Sequence, residues 1–171
     1  MKKIILGAFI FASAMLFNNN AIYAQSFEQG DINVGGGIGV GTTFAGGLPI
    51  AIHAEYGISD VISVGGYAAF TSFDSASYDW NYTIFGARGA YHFGELLSLP
   101  DEFDLYGGVG IFTYSITVKN NNGDRFTGGI DDGIHFGLHA GARYYFTDNI
   151  AAFAELSHEI SYLQLGVSIK L

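Results

Sequence analysis

The sequence predicts an all-β fold: an eight-stranded antiparallel transmembrane β-barrel with up-and-down topology. The clearest observation is the C-terminal stretch, where aliphatic side chains alternate with polar or small ones, so that a strand would have one aliphatic face. The second is composition, with 25 glycines, 16% aromatic residues and only 13% charged residues. The third is that period-2 alternation recurs along the chain, whereas no apolar run after residue 24 approaches the ~18 residues of a membrane-spanning helix. The aliphatic face of the C-terminal strand consists of Leu163, Leu165, Val167, Ile169 and Leu171.

The N-terminal segment predicts an export signal that is cleaved. Lys2 and Lys3 precede an apolar run over residues 4–17, and Ala24 offers a small residue for cleavage before Gln25. The apolar run is shorter than the ~20 residues of a membrane anchor, which favours cleavage over anchoring. We therefore assign residues 1–24 to a signal peptide and residues 25–171 to a single barrel domain.

Charge and cysteine content exclude several classes of protein. The net charge of the chain is −9, and removal of Lys2 and Lys3 would lower it to about −11, which argues against nucleic acid as a partner. The chain has 0 cysteines, so a disulfide framework and a thiolate metal site are both excluded. A soluble barrel or sandwich would need large apolar residues inside, and the charged face of these strands has too few of them to fill a core.

Strands 1 to 4 are predicted over residues 31–43, 50–58, 61–73 and 79–93. Their apolar positions are expected to face lipid, and the small or polar positions between them to face the lumen. Strand 1 contains the spacing Gly35-x-Gly37-x-Gly39, which also occurs in phosphate-binding loops. Such loops precede a helix, whereas these glycines precede a turn that ends at Pro49. We interpret them as small residues inside a narrow barrel wall.

Strands 5 to 8 are predicted over residues 104–118, 134–147, 150–157 and 161–171. The connection over residues 119–133 is the longest and is expected on the outer side of the membrane. Strand 5 is ambiguous, because two apolar sets compete for the lipid face and a bulge could switch the faces partway along it. The better set is Tyr106, Phe112, Tyr114, Ile116 and Val118, and the competing set is Leu105, Val109 and Ile111.

Four charged residues fall on positions predicted to face the lumen: Glu55, Arg88, Arg143 and Glu155, which we call the charge layer. Each lies roughly three to five residues from the predicted periplasmic end of its strand, so the four should occupy a similar height. Buried charges must be paired, and arginine binds carboxylates in a bidentate manner. Because an eight-stranded barrel is narrow enough to be filled by its own side chains, we expect a plug of ion pairs rather than an open pore. The alternative is a wet interior in which the charges are solvated separately.

Three histidines, His53, His135 and His139, are also predicted to face the lumen. His135 and His139 are four residues apart, which on a strand is two pleats and too far to share a metal ion comfortably. We expect these histidines to pack and to form hydrogen bonds, and we predict neither a metal site nor a cofactor.

The final residues resemble the C-terminal β-signal of bacterial outer-membrane barrels, with Gln164, Gly166, Ile169 and Leu171 at the matching positions. In that family the barrel-assembly machinery reads this strand, and an aromatic residue is commoner at the end than the leucine found here. The whole chain after residue 24 looks like the small OmpA/OmpX-like outer-membrane β-barrels, on stretches such as 54–60, 86–93 and 105–110. The resemblance implies an outer-membrane location, contact with outer-membrane lipid and lipopolysaccharide, and a monomer. It implies no activity.

Two other constellations carry weaker hypotheses. Barrel lipases that trim lipid A use serine, histidine and an acid near a rim, where this chain has Glu155, Ser157, His158, Glu159 and Ser161. The chain lacks the H-x-S-N pattern of those lipases and shows no oxyanion donor, so we do not predict an enzyme. The spacing Asn120-x-Asn122-x-Asp124, with Asp131, resembles a calcium loop, but Arg125 stands where such a loop needs glycine. We expect an exposed polar loop there.

The sequence therefore favours an outer-membrane barrel with a structural or surface-interaction role. A narrow gated pore for ions or small solutes is the second hypothesis, and a lipid A-modifying enzyme at the rim is the third. Nothing in the sequence identifies a surface ligand.

Overall fold

The structure is a computed structural model that describes residues 27–42, 47–75, 78–120, 125–130 and 133–171. The predicted signal peptide and its cleavage site lie outside these residues and stay predictions. The described elements are β1 (Ile32–Thr42), β2 (Ile50–Ser59), β3 (Ile62–Ser75), β4 (Tyr78–His92), α1 (Gly94–Leu97), β5 (Phe103–Asn120), β6 (Arg125–Ile130), β7 (His135–Tyr145), β8 (Ile150–Ser157) and β9 (Ser161–Lys170).

The strands close into a barrel in which every pairing is antiparallel. Neighbouring strands pair in chain order, β1 pairs with β9, and β4 pairs with β5, so that β1 to β5 and β7 to β9 form an eight-stranded ring. Antiparallel neighbours joined by short connections give up-and-down topology, and closure leaves the ring without an exposed edge. The predicted fold class is confirmed.

A ninth strand corrects the prediction of a loop over residues 119–133. Strand β5 is 18 residues long and pairs with β7 only from Phe103 to Phe112, after which β6 pairs with its upper part. On the opposite edge of β5, its pairing with β4 continues as far as Tyr78 and Asn120. Strands β3 to β6 therefore continue past their neighbours, and we call this part the wall extension. It lies at the loop end of the barrel, opposite the terminal end where the described chain begins and finishes.

The distribution of residues is the reverse of that in a water-soluble protein. Large apolar side chains cover the outside, as shown by Ile52 at 62% exposed and Leu138 at 67%, whereas charged groups such as Arg143 are fully buried inside. Lipid is the solvent that suits such a surface, because an apolar side chain gains nothing from facing water. No helix among the described residues is long and apolar enough to cross a membrane.

The facing of strand β5 differs from the one that the sequence favoured. Tyr106 (1% exposed) and Phe112 lie inside the barrel, and Tyr114 packs against the lumen cluster that contains Phe112. Leu105, Val109 and Ile111 face outward. The register between β4 and β5 is continuous over its whole length, so no bulge switches the faces. The physical reason is that Tyr106 has polar partners for its hydroxyl inside the barrel.

Inward-facing glycines make room for these large side chains. A Cβ atom on Gly141 would lie 2.5 Å from the Tyr106 hydroxyl, and one on Gly86 would lie 2.5 Å from the Tyr67 ring. The expectation that small residues line the inside of the wall is thus met by a specific arrangement, in which a glycine on one strand faces a bulky side chain on the next.

Candidate functional site: the charge layer of the lumen

The structure brings the four residues of the charge layer together. Arg88 bonds Glu55 through Nη2 and Oε1 at 2.6 Å, and its Nη1 lies 3.0 and 3.1 Å from the two carboxylate oxygens of Glu155. Arg143 bonds the second carboxylate oxygen of Glu55 through Nη2. Glu55 is therefore bridged by both arginines, and the four side chains form one connected group.

Strand alternation and ring closure place this group across the lumen. Glu55 lies on β2, Arg88 on β4, Arg143 on β7 and Glu155 on β8, each at an inward position between outward apolar neighbours. In the ring of eight, β2 and β7 stand on opposite sides. The bond between Glu55 and Arg143 consequently crosses the barrel, where an arginine side chain is long enough to meet a glutamate from the far wall.

Sequence reasoning missed one acid of the network. Asp104, which is 1% exposed, accepts a hydrogen bond from Arg143 Nη1 at 2.9 Å through Oδ2, and its Oδ1 lies 2.7 Å from His92 Nδ1. His92 in turn lies 3.0 Å from Ser63 Oγ. Asp104 is the direct cross-strand partner of Arg143. The signal that could have found it is the phase of strand 5, because Asp104 shares the inward face with Tyr106.

Tyr106 completes the layer from the same strand. Its hydroxyl donates to Glu155 Oε2 at 2.9 Å, and the Arg143 guanidinium lies over its ring at 4.4 Å from the centroid. A phenol suits this place because its hydroxyl binds a carboxylate and its ring face attracts a cation.

The electrostatics of the network are close to balanced. Its carboxylates, Glu55, Asp104 and Glu155, alternate with the two guanidinium groups, so that neighbouring charges in the chain of contacts have opposite sign. Isolated charges could not be buried here, because each would lose its hydration without compensation. Each guanidinium is instead compensated by two carboxylates.

The three predicted lumen histidines have separate environments. His53 meets the edge of the Phe153 ring at 5.2 Å, His135 stacks on Phe112 at 5.4 Å, and His139 Nδ1 lies 3.1 Å from Glu159 Oε1. Within the described part of the chain, no group of three or more histidine, aspartate or glutamate side chains could hold a metal ion.

The residues of the hydrolase hypothesis do not assemble into a catalytic group. His158 is exposed and contacts Tyr162, whereas Ser157, Glu159 and Ser161 are buried in the lumen. Glu159 bonds His139 rather than His158, and Ser157 Oγ accepts the backbone N–H of Glu159 at 2.9 Å. A serine nucleophile needs a hydrogen bond to its base, and the described residues give Ser157 none to a histidine. In the calcium-loop hypothesis, Asn120 ends β5, while Asn122, Asp124 and Asp131 lie outside the described residues.

Three of the four β-signal positions, Gln164, Gly166 and Ile169, lie on β9, the strand that closes the ring, and Leu171 directly follows it. Gln164 is buried, Ile169 faces outward, and the backbone N–H of Leu171 donates to Ile32 O at 2.9 Å. A Cβ atom on Gly166 would overlap Gly36 O and lie 2.5 Å from the Phe153 ring. Glycine is thus required at position 166 by the packing of the folded barrel itself.

Comparison with known proteins agrees with this architecture. The chain is similar to the N-terminal β-barrel domain of Pseudomonas aeruginosa OprF, with 20% identity and a TM-score of 0.59, over 84% of this chain and 98% of that one. It is similar to the outer membrane protein OprG of Pseudomonas aeruginosa, with 12% identity and a TM-score of 0.61, over 86% of this chain and 98% of that one. It is also similar to Ail, the attachment invasion locus protein of Yersinia pestis, solved in complex with the heparin analogue sucrose octasulfate. Here the identity is 13% and the TM-score 0.51, over 83% of this chain and 95% of that one. No curated protein sequence matches the chain significantly.

At these identities the likeness to solved structures establishes the fold alone. The family model for the outer membrane protein β-barrel domain, however, matches residues 8–167, which is most of the chain. Together with the closed eight-stranded ring and its apolar outer surface, this match places the chain in the outer membrane. The chain belongs to the family of outer membrane β-barrel domain proteins.

Proposed function

We propose that this protein is a structural and surface-interacting barrel of the outer membrane whose lumen is closed at rest by the charge layer. The observation that carries the proposal is the unbroken series of ion pairs from Asp104 through Arg143, Glu55 and Arg88 to Glu155, which crosses the lumen. An ion that entered the barrel would meet this series, and no bypass is expected in a ring of only eight strands.

The surface-interaction role rests on the wall extension. Strands β3 to β6 continue past β2 and β7 at the loop end, which gives the barrel a sheet beyond its ring. With both termini on the periplasmic side, the usual orientation of such barrels, the wall extension would stand on the outer face of the cell. We propose outer-membrane lipid and lipopolysaccharide as its surroundings, a monomeric state, and recognition of β9 by the barrel-assembly machinery during insertion.

A narrow gated pore is the second candidate, and one observation favours it. Each arginine of the layer contacts two different carboxylates, so a change of partner could open a path without leaving any charge unpaired. Such an exchange would make the charge layer a gate rather than a permanent plug.

Single-channel recording of the refolded protein in a planar bilayer distinguishes the two candidates. A flat baseline over a range of voltages is the result expected for the closed barrel. Reproducible current steps in the unmodified protein would refute the resting closure and make the gated pore the leading function. The structural role has its own measurement: loss of the protein should sensitise cells to detergent without slowing uptake of small solutes.

A further inference from the structure

The turn between β8 and β9 points into the barrel rather than away from it. Glu159 is 0% exposed and Ile160 is 4% exposed, although both belong to the short connection at the loop end. Connections of this kind normally run over the surface, where water satisfies their polar groups. Their neighbour His158 is exposed and contacts Tyr162. The turn therefore inserts two consecutive side chains into the lumen and leaves the third outside.

Space for Glu159 is provided by glycines on two other strands. A Cβ atom on Gly110 of β5 would lie 2.5 Å from Glu159 Oε1, and one on Gly137 of β7 would overlap Glu159 Cγ. The carboxylate contacts His139, whose Nδ1 lies 3.1 Å from Oε1, and the backbone of the turn is fixed by the hydrogen bond that the Glu159 N–H donates to Ser157 Oγ. The inward position of the turn is thus supported by packing and by two polar contacts.

Ile160 lies in an apolar cluster inside the barrel, whose other members are Ala51, Tyr67, Ala69, Ile84 and Phe112. We call this cluster, together with Glu159, the turn plug. An apolar cluster across a narrow lumen is a barrier to ions, because a hydrated ion cannot shed its water there without a large free-energy cost.

The turn plug lies on the loop side of the charge layer, and the two meet where the Arg88 guanidinium lies 5.8 Å from the centroid of the Tyr67 ring. Along the inward face of β7, His139 lies four residues beyond Arg143 toward the loop end, roughly 13 Å farther along the strand. Tyr106 stands between them, with its ring 6.3 Å from the His139 ring and its hydroxyl on Glu155. An ion that crossed the barrel would have to pass both layers in turn.

We infer that the lumen has two closures in series, the charge layer and the turn plug, and that either one alone stops ion flow. This inference rests on the proposed function, in which the resting barrel does not conduct. It differs from that proposal in assigning closure to residues outside the charge layer, on a connection that reaches the outer end of the barrel. A partner that pulled this turn outward would remove only one of the two closures.

The test is a set of four proteins in planar bilayers: the unmodified chain, Arg88→Ala/Glu155→Ala in the charge layer, Glu159→Ala/Ile160→Ala in the turn plug, and the combination of all four changes. The charge-layer change removes one cation and one anion, which leaves the net charge of the lumen unaltered. We expect flat baselines from the first three proteins and resolved current steps from the combined variant alone. Folding of each is checked by the shift of its gel mobility on heating.

His158→Ala is the matched control, because it alters the same turn at its exposed residue. Added to the charge-layer variant, it should leave the baseline flat. If folding of the combined variant is poor, Ile160→Ala alone in the charge-layer background replaces it and should conduct with smaller steps.

The outcomes separate the two ideas. Conduction by Arg88→Ala/Glu155→Ala alone, equal to that of the combined variant, would overturn the turn plug while leaving closure by ion pairs intact. A combined variant that stays silent would also overturn the inference, because a further barrier would then be closing the lumen. Conduction by the unmodified chain would instead refute the proposed function itself.

Discussion

Replacement of Arg143 by alanine should destabilise the barrel more than any other single change in the charge layer. Its guanidinium is fully buried, bonds Glu55 and Asp104, and lies over the Tyr106 ring. Removing one partner of a buried ion pair typically costs about 3–5 kcal/mol, because the remaining charge loses its compensation. Here Glu55 keeps Arg88 and Asp104 keeps His92. We therefore expect a loss near the lower end of that range, about 3 kcal/mol.

A paired substitution tests whether balanced charge together with restored side-chain volume recovers the lost stability. Arg143→Met/Asp104→Asn removes one charge of each sign, fills most of the arginine volume and leaves an amide that can still bond His92. Replacing a buried ion pair by neutral groups of similar size is often close to neutral in stability. We expect the paired variant to recover at least half of the stability lost in Arg143→Ala.

The assay is urea unfolding of the protein refolded into lipid vesicles. The folded fraction is read from gel mobility without heating and from the fluorescence of the single tryptophan. A free energy of unfolding for Arg143→Ala within about 1 kcal/mol of the unmodified value would refute the reasoning, since removal of a buried cation with two carboxylate partners should destabilise the fold by more than this. A paired variant as unstable as the single one would also refute the reasoning, because neither the unpaired carboxylates nor the lost volume would then explain the loss.

Three further predictions concern other parts of the barrel. Gly166→Ala should lower the free energy of unfolding by about 2 kcal/mol, measured by the same urea titration, because its Cβ would overpack against Gly36 O and Phe153. Its control is Gly36→Ala, whose Cβ would lie 3.6 Å from its nearest neighbour and which should change the free energy of unfolding by less than about 0.5 kcal/mol. Phe27→Ala should cost about 3 kcal/mol, because the ring is buried and stacks on His92 at 3.6 Å, and an unchanged unfolding midpoint would contradict this contact. Leu171→Asp should lower the amount of protein inserted in cells several-fold while leaving refolding in vitro intact, because the exposed Leu171 side chain adds little to the folded barrel. An equal loss in cells and in vitro would argue against a role for Leu171 in recognition by the assembly machinery.

The facing of a strand could be predicted wherever one of its faces is apolar throughout. Strands β2 and β7 meet this condition, and their burial alternates as the sequence indicates. Strand β5 does not, because Leu105 and Val109 on one face compete with Tyr106 and Phe112 on the other. A hydropathy pattern treats Tyr106 as apolar, whereas inside the barrel its hydroxyl is a hydrogen-bond donor to Glu155. The error in strand 5 thus came from the amphipathic character of tyrosine.

Strand β6 could not be read from the sequence for a different reason. Its segment is short and follows a polar, glycine-containing stretch, so local pattern favours a loop. It forms a strand by pairing with the upper part of β5, which β7 leaves without a partner on that side. This is a tertiary effect that no local pattern reports.

Four members of the ion-pair network could be grouped from the sequence, but their connectivity could not. Alternation gives the face of each residue and strand length gives its approximate height, which was enough to group Glu55, Arg88, Arg143 and Glu155. Which carboxylate meets which arginine depends on the tilt and order of the strands around the ring, and these follow from closure. Asp104 was not identified because it begins predicted strand 5, the one strand whose inward face was uncertain.

The glycines explain how so small a barrel holds both the charge layer and the turn plug. Large lumen side chains lie against glycines of neighbouring strands, with Tyr106 against Gly141, Phe153 against Gly166, and Glu159 against Gly110 and Gly137. Outward-facing glycines differ, since a Cβ atom on Gly89 would meet no atom closer than 3.5 Å. Room inside the ring is therefore created where a bulky group needs it, because a close-packed interior cannot accept even one extra methyl at those points. It follows that alanine at an inward glycine acts on the lumen residue opposite, whereas alanine at an outward glycine such as Gly89 makes only ordinary van der Waals contacts.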